Sequence, residues 1–150
     1  MWLKPNRASM STQARGAVPR DTSVDEQELK FLERLAERLP ADEALLKTLG
    51  ELYTRAGCYD KGLAVDRRLT VLCPDEAAVW YNLACSLALV GRRAEALAAL
   101  RRAVELGYRD GAWMSRDEDL RSLRNDEEFR ALLRQIAAEG RGTAHHDRDA

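Results

Sequence analysis

Apolar residues recur at helical spacing through most of the chain. Trp80, Leu83, Ala84 and Leu87 fall at i, i+3, i+4 and i+7, one face of a helix. Beyond Gly91, the residues Ala96, Leu97, Leu100, Ala103 and Val104 repeat that spacing. The pattern predicts two amphipathic helices packed back to back, with a tight turn at the glycine. Ala84, Ala96 and Ala103 are small enough to let those helices approach closely. A shift of 34 residues toward the amino end finds the pattern again: Trp80 falls on Leu46, Leu83 on Leu49, Ala84 on Gly50, Leu87 on Tyr53, Gly91 on Gly57 and Leu97 on Leu63.

Leu49-Gly50-x-x-Tyr53 and Trp80-x-x-Leu83-Ala84 each carry half of the opening motif of a known 34-residue helical repeat, and Pro74 closes the first unit. On these residues the chain resembles a tetratricopeptide repeat protein over roughly residues 42–109. The resemblance implies an all-α fold, a short α-solenoid of helix-turn-helix repeats in a right-handed stack with terminal capping helices. Two units are expected, 42–74 with Asp42 as helix N-cap and 75–108 with Asp75 as N-cap. Tyr59-Asp60-Lys61 opens the second helix of the first unit, and Gly107 stops the second unit.

Upstream, Ser23 and Glu26 have capping-box spacing. Leu29, Leu32, Leu35, Ala36 and Leu39 then form one apolar stripe that Pro40 ends. This helix, within 23–40, is expected to cap the amino end of the stack, because each unit must cover its neighbour's apolar face. Downstream, Ser115/Glu118 and Asn125/Glu128 repeat the capping-box spacing, and Phe129, Leu132, Leu133 and Ile136 share one helical face. Residues 111–139 are therefore read as a helical cap, with Trp113 packed on the last repeat helix. The segment is similar to the cap that follows bacterial arrays of this kind. Residues 1–22 read as a disordered leader and 140–150 as a disordered tail.

Asp66 interrupts the apolar register where the next unit has Leu100. A buried carboxylate is costly unless partnered. Asp66 is thus either solvated, paired with an arginine, or part of a polar contact that sets the angle between units.

Composition narrows the function classes. The 150 residues carry a formal net charge of -1, which gives no basic face for nucleic acid. No apolar run is long enough to cross a bilayer. Three cysteines, Cys58, Cys73 and Cys85, have no paired spacing and are expected to be thiols in a reducing, cytoplasmic compartment. No phosphate loop, dinucleotide fingerprint, zinc motif or nucleophile elbow is present. His145 and His146 sit in the tail without further ligands, and the acidic runs 117–119 and 126–128 fit helix starts better than calcium. No catalytic residue, metal or cofactor is expected.

What the sequence offers is a surface. In the family the chain resembles, the first helix of each unit lines a concave face that binds extended peptides or partner segments. The matching positions are Lys47, Thr48, Glu51 and Arg55 in the first unit and Tyr81, Asn82, Cys85 and Leu89 in the second. Some members hold a C-terminal carboxylate with lysines and asparagines. Lys47 and Asn82 match part of that set, whereas Glu51 would repel such a ligand. The expectation is a non-catalytic adaptor for a protein or peptide partner. The alternatives are a self-associating structural module forming a homodimer, or an accessory subunit of a separate enzyme.

Overall fold

The computed structural model describes residues 24–143, and every regular element among them is helical. In chain order these are α1 (Glu26–Arg38), α2 (Glu43–Arg55), α3 (Tyr59–Leu72), α4 (Ala77–Leu89), α5 (Arg93–Glu105), α6 (Gly111–Arg116), a 3-10 turn (Glu118–Leu123) and α7 (Glu127–Thr143). The all-α expectation therefore stands for the described residues. The proposed leader and most of the proposed tail lie outside them. The final helix continues through Gly140 and ends at Thr143.

Helices α2/α3 and α4/α5 form two hairpins, and α3 packs on α4 to join them. Gly57 and Gly91 make the turns at φ 75° and 80°, a left-handed conformation that glycine adopts without a Cβ clash. Each follows a helix whose third-last carbonyl accepts from the residue after the glycine: Cys58 N–H to Tyr53 at 2.8 Å and Arg92 N–H to Leu87 at 2.9 Å. Gly107 closes α5 in the same way, with Tyr108 N–H donating to Ala103 at 2.9 Å.

The core is densest around α4. Ala84, Ala96, Leu100 and Ala103 are fully buried, so the alanines permit the close α4–α5 contact that their size predicts. Gly50 serves the first hairpin likewise, since a Cβ there would lie 3.2 Å from Asp66 Oδ1. Asp66 is itself fully buried and accepts a hydrogen bond from Ser86 Oγ. Neither solvation nor an arginine accounts for that bond. The carboxylate ties α3 to α4, the polar-contact alternative of the three.

Several helix starts differ from the sequence reading. Asp42 does cap α2, accepting from Leu45 N–H at 2.9 Å. Asp25 caps α1 by accepting from Gln27 N–H at 2.8 Å, while Ser23 of the expected box lies outside the described residues. The position before α4 belongs to Glu76 rather than Asp75. Near the carboxyl end the caps are Asp117, two residues on from Ser115, and Asp126, one on from Asn125. Aspartate accepts from helix-start N–H groups as an ion, which favours it over the neighbouring serine or asparagine.

α1 is the outermost layer. It packs on α2, but none of its residues is fully buried. Leu29, Leu32, Leu35 and Ala36 are half-buried, while Leu39 and Phe31 are exposed. Tyr53 Oη donates to Glu33 Oε1 at 2.7 Å, and Lys61 Nζ lies 2.9 Å from the same oxygen. Those two hydrogen bonds hold the Glu33 carboxyl below its ordinary pKa, Tyr53 contributing most.

Candidate functional site

The eight sequence-predicted surface residues fall into two groups. On α2, Thr48 and Arg55 are exposed, and Lys47 and Glu51 are half-buried. Ala44, one turn before Thr48, is exposed beside them. This half of the face is open. Lys47 is less available than its position suggests, because Nζ lies 3.3 Å from Glu76 Oε2 at the start of α4 and 4.0 Å from Glu43. It is a bridge between hairpins as much as a surface cation.

On α4 the outcome is different. Tyr81, Asn82 and Cys85 are 2%, 1% and 0% exposed, and only Leu89 remains half-buried. They are not an open partner surface. The chain itself covers them, because the 3-10 turn Glu118–Leu123 lies along α4. Leu120 and Leu123 are fully buried in that contact, and Met114, Phe129, Leu132 and Ile136 extend it. Trp113 is half-buried against the core cluster that includes the α5 residues, and Met114 beside it is fully buried.

The polar centre of this contact is Asp117. Its Oδ2 accepts from Tyr81 Oη at 2.7 Å and from Cys85 Sγ at 3.7 Å, and its Oδ1 accepts from Asp119 N–H at 3.0 Å. One carboxylate thus caps the 3-10 turn and fastens it to α4. The Tyr81 ring stacks on Tyr108, with centroids 4.4 Å apart and planes within 4°. Burial pushes both phenols well above their ordinary pKa, so both stay protonated donors at neutral pH.

Ligand atoms of Cys85, Asp117 and Asp119 lie within 4.8 Å of one another, as do those of Glu43, Cys73 and Glu76. In the first group Asp117 already serves three donors of the chain, which is the work of a helix cap. His145 and His146 lie outside the described residues. Among the described residues no helix is long and apolar enough to cross a membrane.

Asp117 and Tyr108 escaped the sequence reading as partners of the α4 face. The available signal was the Asp117-x-x-Leu120 spacing of a cap followed by a core residue. The cysteines give a direct check. Cys58 is exposed, whereas Cys73 and Cys85 are buried, and burial pushes the Cys73 thiol up to about 11. One thiol per chain is therefore expected to react quickly with a disulfide reagent at neutral pH, the other two only on unfolding; mass mapping of the labelled peptides checks this.

A family model described as "A/B hydrolase-like, N-terminal domain" matches residues 43–145, more than two-thirds of the 150-residue chain. A chloroplastic protein from Arabidopsis thaliana is 34% identical over 92 residues, 58% of this chain and 27% of that protein. The chain thus matches little more than a quarter of that relative's length.

These matches overturn the tetratricopeptide assignment. The 34-residue recurrence reports two hairpins of equal length with small residues at their crossings, a geometry that different helical families share. The family match also runs through the carboxyl-terminal segment, where the recurrence stops and where Asp117, Leu120 and Leu123 fold back on α4. A plant chloroplast relative likewise gives no footing to the bacterial expectation. The chain belongs to the A/B hydrolase-like, N-terminal domain family.

Proposed function

We propose that this chain is a non-catalytic helical module that binds a polypeptide segment of a protein partner across the open face of α2. The observation that carries the reading is the chain's own behaviour one hairpin further on. There the equivalent face of α4 is occupied by a polypeptide segment, seated by buried leucines and anchored by a side-chain carboxylate on a helix donor. The α2 face has the same start, Ala44 and Thr48 in place of Ala78 and Asn82, but the described segment does not close it off: Thr48 and Arg55 are exposed. Arg55 supplies a cation for an acidic group of the incoming segment, and Thr48 and Ala44 leave room for its backbone.

The stack of two hairpins with α1 and the α6–α7 segment as end layers is a short α-solenoid in this reading. Such a stack offers a rigid face at little entropic cost on binding. A reducing, cytoplasmic setting belongs to the same proposal, supported by three cysteines without paired spacing.

The family description favours one kind of partner. The matched family is described as the N-terminal domain of A/B hydrolase-like proteins, and that description is what supports this choice. We therefore place the accessory role, serving an enzyme of that class, ahead of a free-standing adaptor.

The test is binding by the double variant Thr48→Arg/Arg55→Glu, measured by co-purification with a hydrolase-like partner protein. Both positions are exposed, so melting is expected to match the parent within about 0.5 kcal/mol. Partner recovery is expected to fall at least tenfold. Equal recovery by parent and variant would move the binding surface off α2.

A further inference from the structure

α1 is lightly held. None of its residues is fully buried, whereas α2, on which it packs, buries seven. Among the described residues, its side-chain hydrogen bonds to other elements run through Glu33, which accepts from Tyr53 Oη and Lys61 Nζ. The Lys30–Glu26 pair lies within α1 and adds no tie to α2. The connection to α2, residues 39–42, is exposed throughout and contains Pro40, which lacks the N–H that would carry the helix on. A helix of 13 residues is marginal on its own in water, so α1 loses its protection as a unit once it undocks.

What α1 covers is apolar. Leu45 and Leu52 are buried on α2, two turns apart, yet belong to neither of the apolar clusters that hold the later helices together. The helices packed most closely on α2 are α3 and α1, which leaves α1 as their cover. Thr48 and Arg55 follow these leucines by three residues each, the spacing of neighbouring positions on a helix surface. Undocking α1 therefore adds two leucines to the open α2 face and frees Tyr53 Oη and Lys61 Nζ from Glu33. The α4 face holds its own segment by a related contact, a carboxylate on the Tyr81 hydroxyl beside buried leucines.

We propose that α1 is a displaceable flap, and that the seat it leaves takes an amphipathic helix of the partner with a carboxylate in the place of Glu33. α1 itself specifies that chemistry: Leu29, Leu32, Leu35 and Ala36 form its half-buried stripe, with Glu33 beside them. The flap lowers apparent affinity, because binding is reduced by the fraction of chains in which the seat is closed. The identity of the occupant rests on the reading of α2 as the binding face; the mobility of α1 does not.

Two measurements on the full chain test this. In hydrogen exchange, α1 amides of the parent are expected to exchange at least about a hundredfold faster than those of α4. Glu33→Ala should speed α1 about tenfold further and leave α4 unchanged. The second measurement uses a fluorescent peptide of residues 24–39, which carries α1's own sequence, as the probe. Leu32→Asp/Leu35→Asp undocks α1 in the full chain and is expected to bind the peptide at least about tenfold more tightly than the parent does. Adding Leu52→Asp to that variant should abolish binding while α4 keeps its protection. A peptide carrying Glu33→Ala should bind about tenfold more weakly. Equal protection of α1 and α4 in the parent overturns the flap. An undocked variant that binds the peptide no better than the parent, or that binds it equally with Leu52→Asp, overturns the seat. Neither measurement involves Thr48, Arg55 or a hydrolase-like protein, so failure here is distinct from failure of the recovery test on Thr48→Arg/Arg55→Glu.

Discussion

Asp117→Ala is expected to release the carboxyl-terminal segment from α4 and to be among the most damaging single changes in the chain. The substitution removes the cap of the 3-10 turn, an effect of about 1 kcal/mol. It also leaves the buried Tyr81 hydroxyl without its acceptor, at about 1–3 kcal/mol. The leucines that follow, Leu120 and Leu123, are fully buried only because that turn is seated. Chemical denaturation should show a loss of roughly 2–4 kcal/mol in total. Hydrogen exchange should show the loss beginning at residues 111–143. Tyr81→Phe gives the control: with both partners of the hydrogen bond removed, Tyr81→Phe/Asp117→Ala should be less destabilised than the sum of the single variants. Additive losses would mean that the Tyr81–Asp117 bond does not hold the segment down.

Gly50→Leu should damage the other end of the core. A Cβ at this position would lie 3.2 Å from Asp66 Oδ1 and 3.6 Å from Val65 Cγ1. Asp66 is fully buried and hydrogen-bonded to Ser86, so it cannot swing aside without breaking the link from α3 to α4. Forcing a leucine into that crossing costs about 1–3 kcal/mol and often more where the neighbour is fixed. Gly50→Ala is expected to be nearly neutral, because the tight contact is offset by a helix gain of about 0.5–1 kcal/mol. Urea unfolding of the two variants checks both values. A Gly50→Leu protein that unfolds with the parent would show that α2 and α3 do not cross at this residue.

The helices were legible because their signals are local. Apolar spacing, three turn glycines and Pro74 place α2 to α5 nearly to the residue. The exposed half of the candidate surface, Thr48 and Arg55, was legible for the same reason: it depends only on which side of α2 faces the hairpin. The covered half was not. Tyr81 and Cys85 are separated from Asp117 by 36 and 32 residues in sequence, and nothing near Tyr81 announces that the chain returns to it. Asp66 shows the same limit. Its position in the register marked it as unusual, but Ser86, on the next hairpin, is the residue that explains it.

The family assignment failed for a related physical reason. Repeating hydrophobic positions measure helix length and crossing, and both hairpins here have helices of 13 or 14 residues. The recurrence ends at Tyr108, and the chain beyond it folds back over α4, a part of the fold that the repeat spacing does not report.

The most direct test of the partner-binding account is site-specific photo-crosslinking. A benzophenone side chain is placed at Thr48 on the α2 face and, separately, at Arg68 on the outer side of α3, both exposed. Irradiation in the presence of a hydrolase-like protein that co-purifies with the chain should give a protein adduct from position 48 that Arg55→Glu suppresses, and none from position 68. Adducts of equal yield from both positions, or from 68 alone, would contradict the claim that α2 carries the binding face.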